Sequence, residues 1–191
     1  MQSLSYRISF LSFFLITFLA CNQAQQEGKM QGGQPISEVP STAQRVFIGV
    51  DGDTLQPVQK SEAEWRETLS GEAFEVLRQA GTERAFTGKY WDHKGEGIYT
   101  CAGCGLPLFS SKTKFKSGTG WPSYTQPFRA DHIEEREDRS YGMVRTEVLC
   151  ARCGGHQGHV FTDGPKPTGL RYCINSVSLG FVPAEEAKLE P

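Results

Sequence analysis

Apolar positions follow different rhythms in successive parts of this chain. Arg7 is followed by an uncharged, mostly apolar run from Ile8 to Ala20. A basic residue, a run of that length and a small residue at its end predict a bacterial-type signal peptide over residues 1–20. The run is short of the about 20 apolar residues a membrane span needs. From Asn22 to about Pro40 the chain is rich in Gln and Gly and poor in large apolar side chains. Such a stretch cannot bury enough surface to fold and reads as a flexible tether. Val46 to Val50, running into Asp51-Gly52, predicts a short strand entering a tight turn. Residues 21–58 are therefore expected to be a tether with a short hairpin.

A helical rhythm comes next. Ser61 with Glu64 three residues on is a capping box. Trp65 and Leu69 follow at the spacing of one helix face. A second helix is predicted from Gly71 to Ala80, with Phe74 and Leu77 on its apolar face, Val76 close by, and Gly81 as the stop signal. From Gly97 onward, short β-prone runs alternate with Gly, Pro and Ser: Gly97–Thr100, Gly142–Val148, His159–Phe161 and Arg171–Leu179. That texture predicts antiparallel sheets rather than a doubly wound α/β fold. The fold class expected is mainly β, with short N-terminal helices. Residues 59–184 form the domain and 185–191 a tail.

Composition changes this picture little. The formal charge is −2, from 20 basic and 22 acidic residues. That balance leaves no basic footprint for nucleic acid. Asp131 to Arg139 is a dense run of mixed charge and reads as a solvated loop.

The six cysteines change it a great deal. Cys101-Ala102-Gly103-Cys104-Gly105 and Cys150-Ala151-Arg152-Cys153-Gly154 are two Cys-x-x-Cys-Gly knuckles. Together they offer four thiolates to one tetrahedral zinc, each sulfur about 2.3 Å from the metal. A glycine after each pair suits a turn whose backbone angles a Cβ would resist. Four thiolates leave no open coordination position, so the metal would be structural and would staple two distant hairpins. Disulfides are the competing reading for an exported protein.

Cys173 stands apart, in Arg171-Tyr172-Cys173-Ile174-Asn175-Ser176. A lone cysteine downstream of two histidines is a candidate nucleophile, and a buried structural thiol is its plainer alternative. On a strand, Arg171, Cys173 and Asn175 would share one face. The Arg171 guanidinium would then favour the reactive thiolate, and Asn175 could hold a polar substrate atom or a water. His156 and His159 are acid candidates near neutral pH, with metal ligation or plain surface exposure as alternatives. Trp121, in Gly118-Thr119-Gly120-Trp121-Pro122-Ser123, sits in a loop of the kind that carries binding residues.

Leu19-Ala20-Cys21 resembles the end of a lipoprotein signal, with Phe18 where such signals more often carry Leu. The expectation is a lipidated Cys21 tethering the domain to a membrane of the bacterial cell envelope, in a periplasmic or extracytoplasmic setting.

Taken together, Gly81–Phe86, Gly97–Tyr99 with the first knuckle, Ser117–Ser123, Gly142–Val148, Gly155–Phe161 and Arg171–Ser176 resemble the B-type methionine-R-sulfoxide reductases. The resemblance covers roughly residues 61–182. It implies two antiparallel sheets with N-terminal helices and a structural zinc away from the reacting centre. It implies Cys173 as the nucleophile, Trp121 against the substrate methyl group, and His156, His159 and Asn175 on the polar side, supported by Arg171. The implied reaction is thiol-dependent reduction of methionine sulfoxide through a sulfenic acid on Cys173. Its setting would be repair of oxidised envelope proteins, with a thioredoxin-like reductant. One departure stands out: many members carry a resolving cysteine where this chain has Thr119. With four cysteines on zinc and Cys21 acylated, an external thiol must then reduce Cys173. Without acylation, Cys21 on its tether is the resolving candidate. The rival readings are a non-catalytic zinc-stapled module that binds a ligand through Trp121, and a disulfide-bonded interaction domain.

Overall fold

The computed structural model of the protein describes residues 45–189. The signal peptide, Cys21 and nearly all of the tether fall outside the described residues. Among the described residues, no helix is long and apolar enough to cross a membrane.

The described chain opens with the hairpin β1 (Phe47–Ile48) and β2 (Thr54–Leu55), paired antiparallel. Helix α1 (Glu62–Thr68) starts on the expected capping box. Ser61 Oγ accepts from the Glu64 N–H, and the Glu64 carboxylate accepts from the Ser61 N–H. Helix α2 (Gly71–Gln79) is capped by Ser70, and the left-handed residue ending it is Ala80, one position before the expected glycine. Trp65, Phe74, Val76 and Leu77 are all buried.

Two antiparallel sheets carry the rest. The smaller has the order β11 (Leu179–Pro183), β3 (Gly97–Cys101), β4 (Pro107–Ser110). The larger has the order β5 (Lys114–Phe115), β6 (Ser123–Tyr124), β10 (Arg171–Ile174), β9 (His156–Phe161), β8 (Arg145–Cys150), β7 (Ile133–Asp138). The core lies between them. Phe109 stacks on Tyr124 with ring centroids 4.4 Å apart, and Tyr99 meets Tyr124 at 5.3 Å. Tyr172 and Ile174 of β10 point into this core, while Arg171 and Cys173 alternate to the other face and stay partly exposed. The period-2 geometry of a strand thus sends the core and the chemistry to opposite sides of one sheet.

Three readings need correction. The charged run Asp131–Arg139 is not a solvated loop: most of it is the edge strand β7, paired with β8 through six residues. An edge strand with one open flank tolerates charge, and charge there discourages edge-to-edge association. The Arg171–Leu179 run is not one strand. β10 ends at Ile174, a 3-10 turn spans Ser176–Ser178, and β11 joins the other sheet. Asn175 therefore sits at a turn rather than on the strand face. Finally, β8 begins at Arg145, which leaves Gly142, Met143 and Val144 in an exposed turn.

Candidate active site

Strand register builds the site. Cross-strand partners share a face, and a single row runs across all six strands of the larger sheet. In order these are Arg136, Glu147, His159, Cys173, Ser123 and Phe115. Cys173 is thus flanked directly by His159 on one side and Ser123 on the other. Gly158 permits the approach of β9: a Cβ there would lie 2.0 Å from the Cys173 carbonyl oxygen, and its φ is +155°.

Above this row is a cleft of about 170 Å³, lined by Thr82, Trp121, Arg145, Gly158, His159, Phe161, Cys173 and Asn175. Trp121 is held by its indole Nε1–H, which donates to the Glu83 carbonyl at 3.2 Å. The Glu83 carboxylate is buried and accepts from the Ser176 and Val177 N–H groups at 2.6 and 2.9 Å. Burial pushes the Glu83 carboxyl up, against those two bonds. Thr119 Oγ1 lies 3.8 Å from Cys173 Sγ. The residue standing in the resolving position is therefore in contact with the nucleophile candidate.

Asp138 holds His159 from the edge strand: its Oδ2 is 2.9 Å from His159 Nε2 and accepts from Arg145 Nη2 at 2.6 Å. The Ser140 backbone N–H, then its side chain and His159, keep Asp138 well below the usual carboxylate range. An ionised carboxylate thus orients the ring, leaving Nδ1 as its other proton site. His156 is different. It is fully enclosed, with Nδ1 2.7 Å from Glu147 Oε1 and its ring 5.4 Å from that of His159. Burial pushes His156 down, with Glu147 opposing. It does not line the cleft.

Two further expectations shift in detail. Arg171 does neighbour Cys173, but its guanidinium makes a bidentate pair with Asp163, at 2.8 and 3.0 Å, and lies over Phe161. Burial therefore wins at Cys173 and pushes its thiol up, with Thr119, Arg171 and Ser123 opposing. Asn175 lines the cleft, but its amide is occupied: Oδ1 accepts from the Glu83 N–H at 3.1 Å and Nδ2 donates to the Gln157 carbonyl at 3.0 Å. It fastens the Glu83 segment, and with it Trp121, to β9. Sequence reading passed over Asp138, Arg145, Glu147 and Glu83. The first lay in a run dismissed as solvated, and none of the four has a distinctive spacing.

The two knuckles close a second centre. Cys101 ends β3 and Cys150 ends β8, so the cluster joins the two sheets. The two turns are built alike: the Gly105 N–H donates to the Cys101 carbonyl at 2.8 Å, and the Gly154 N–H to the Cys150 carbonyl at 2.8 Å. Both glycines have φ near +70°, at +77° and +68°, and a Cβ on either would meet nothing within 4 Å. The requirement is for the angle, not for space. All four sulfurs lie within 4.8 Å of one another. The pairs Cys101–Cys153 and Cys104–Cys150 are 3.7 and 3.5 Å apart. Sulfurs at the corners of a tetrahedron about 2.3 Å from a metal are separated by about 3.8 Å, whereas a disulfide needs about 2.0 Å. The cluster is a possible metal site, and its cysteines are free of disulfides. The Gln157 amide donates to Cys101 Sγ at 3.6 Å, and Leu77 of α2 packs over Gly155.

A lone thiol beside a carboxylate-held imidazole in an aromatic cleft is equipped for thiol redox chemistry. Comparison with known proteins agrees. Residues 69–183 match the SelR domain family. The chain is 61% identical over 126 residues to a peptide methionine sulfoxide reductase MsrB of Thiobacillus denitrificans, covering 66% of this chain and 96% of the relative. It is 63% identical over 131 residues to one from Methylibium petroleiphilum, covering 69% and 95%. With one from Leptospira interrogans it shares 56% over 124 residues, covering 65% and 95%. The protein is thus an oxidoreductase, and its chain belongs to the peptide methionine sulfoxide reductase MsrB family.

Proposed function

We propose that the protein reduces methionine-R-sulfoxide, in proteins and as the free amino acid, with Cys173 as nucleophile. The observation that carries this is the row Ser123–Cys173–His159 on the floor of the cleft, with Trp121 above it. The indole and Phe161 suit the substrate methyl, since thioether and sulfoxide methyl groups pack well on aromatic rings. Cys173 Sγ attacks the sulfoxide sulfur. The S–O bond breaks, and the oxygen ends on Cys173 as a sulfenic acid with one proton on it. Methionine leaves, reduced by two electrons. His159 is the group placed to move the proton toward the oxygen, since it faces Cys173 and its ring is oriented by Asp138. His156 acts behind His159, and Arg171 and Asn175 act as positioning residues.

A thiol reductant restores Cys173. One thiol forms a mixed disulfide with release of water, and a second releases Cys173. Among the described residues no other thiol lies in the cleft, and Thr119 occupies the resolving position. A thioredoxin-like protein or a small thiol therefore serves directly. Mass analysis after a single turnover should show sulfenic acid or its adduct, and an intramolecular Cys173 disulfide would refute this step.

The four-cysteine cluster fits zinc, held by Cys101, Cys104, Cys150 and Cys153. Bound there, the metal supplies cross-linking of the two sheets and no step of the reaction. The setting is the bacterial cell envelope, with residues 1–20 removed and Cys21 acylated, so that oxidised envelope proteins are the substrates. That part rests on the N-terminal sequence. A mass for membrane-extracted protein with no lipid on Cys21 overturns it.

The reaction is tested by chiral analysis of racemic blocked methionine sulfoxide incubated with the protein and a dithiol. Loss of the R epimer alone, abolished by Cys173→Ser, is the expected result. Turnover of both epimers, or activity surviving Cys173→Ser, overturns the assignment.

A further inference from the structure

Beside the catalytic cleft lies a larger cavity, of about 290 Å³, that the reaction does not use. Its lining includes Trp91, His93, Lys94, Lys114, Phe115 and Lys116. Among the described residues, Lys94, Lys114 and Lys116 form no ion pair, and the one hydrogen bond of their ammonium groups runs from Lys114 Nζ to the Trp91 carbonyl, at 3.3 Å. An ammonium has three donors, so the half-buried Lys114 keeps donors that no described residue takes up. Asp92 is the single carboxylate in the lining. Burial and the nearby Lys94 both act against the Lys114 charge, and Asp92 offsets them only in part. Lys94 and Lys116 are exposed at the rim and Lys114 is half-buried, so the three cations give the hollow a positive field that suits an anion.

The position of the cavity says which anion. Phe115 lines it and belongs to the same cross-strand row as Cys173, two strands away. Two strand spacings are roughly 10 Å, and three residues of extended chain span about the same length. Between cavity and cleft runs an exposed aromatic ridge. Phe86 is 56% and Trp91 36% exposed, with ring centroids 5.5 Å apart, and the Phe86 N–H donates to the Gly120 carbonyl in the Trp121 loop. A peptide lying over that ridge has apolar support for its intervening residues.

We propose that this cavity is a carboxylate subsite, taking an acidic side chain about three residues from the oxidised methionine of a protein substrate. The proposal rests on the reductase reading above and deepens it: the protein would select oxidised methionines that have an acidic residue at that spacing.

The test uses blocked heptapeptides with a central methionine-R-sulfoxide and either Glu or Gln three residues before or after it. With the full-length protein at low salt, one Glu placement should exceed its Gln counterpart about fivefold in kcat/KM, through KM. About 0.5 M salt should erase the difference. The double variant Lys94→Gln/Lys116→Gln should also erase it, while turning over the Gln peptides as the parent does. Both side chains are exposed, and neither lines the cleft. Equal kcat/KM for both pairs of peptides overturns the proposal, and so does a preference that survives in the double variant. A double variant that instead raises KM for a protein reductant with every peptide means that the cavity docks the reductant, and also overturns it. Failure of the underlying reading is seen separately. In that case the folded protein turns over neither the peptides nor blocked methionine sulfoxide, and this proposal falls with it.

Discussion

The four-cysteine cluster and the Cys173 cleft use the same side chain for opposite ends. In the cluster, four sulfurs lie within 4.8 Å of one another, each set by a knuckle with its own backbone bonds. The thiols share protons: hydrogen bonds from neighbouring cysteines pull Cys104 and Cys153 down, while Cys101 and Cys150 are pushed up, Cys101 by its bond to Cys104 and Cys150 by burial. Such a group is a possible metal site. In the cleft, one sulfur faces Thr119, Ser123 and His159 at the edge of an open space. Its surroundings leave room for a substrate and, among the described residues, hold no second thiol. What a cysteine does is set by how many sulfurs it can see and by whether solvent reaches it.

That contrast is broken most directly by Cys173→Ser against Cys153→Ser. The first should reduce turnover to background while moving Tm by no more than about 2 °C, because it deletes chemistry and little packing. The second should lower Tm by about 10 °C or more and release metal, because one missing ligand leaves three thiols, two of them buried, and unties the two sheets. Thermal melts alongside metal analysis separate the two. A Cys153→Ser protein as stable as the parent would remove the staple from the argument.

Next in size is His159→Gln, expected to lower kcat about 100-fold or more with the fold intact. His156→Gln should cost activity less, about tenfold, and stability more, since His156 is enclosed against Glu147. Steady-state kinetics and melts on both variants rank them. If His156→Gln is the worse catalyst at equal stability, the roles given to the two rings are reversed. Asp138→Asn should fall near tenfold, because it loosens the hold on His159 without removing its proton site.

The smallest effect sharpens the electrostatics. With Cys173 raised above its ordinary value of 9.0, the thiolate is a minority species at neutral pH. Alkylation of Cys173 should therefore climb with pH, about tenfold per unit, through pH 9. A rate that levels off below pH 8 would mean that Arg171 and Thr119 outweigh burial. Arg171→Lys should slow alkylation only a few-fold, since Asp163 already holds much of that charge.

Much of this was legible in the residue order. The capping box at Ser61 and Glu64 forms as read, because a cap is satisfied within four residues. The two knuckles form as read, because their turn angles are set by local glycines. Cys173 and Trp121, which both line the cleft, stand out in the sequence because Cys, Trp and Gly-Pro loops are rare and carry chemical meaning at short range. By contrast, β7 is not legible as a strand, because alternation says nothing when five of its six positions are charged. The strand placement of Asn175 does not hold, because β10 ends at Ile174 and the chain there turns toward the other sheet. His156 and His159 look equivalent on paper, three residues apart. Glu147 lies opposite His159, and the bulge between Val148 and Leu149 shifts the register so that His156 comes opposite Leu149, yet it is His156 that the Glu147 carboxylate bonds.

Short-range residue order sets the chemistry available: four thiols in two knuckles, one thiol apart, an indole in a glycine loop, and helices that start and stop on local caps. These depend on neighbours a few residues away, where propensity and turn geometry act directly. Which groups meet is settled by the packed fold. The register of six strands brings Ser123, Cys173, His159 and Glu147 into one row, from positions 123 to 173 in the chain. It also supplies Asp138 from the opposite edge, and it decides that burial outweighs Arg171 at the sulfur. Register and burial are sums over contacts made by the whole sheet, so no short stretch of sequence contains them.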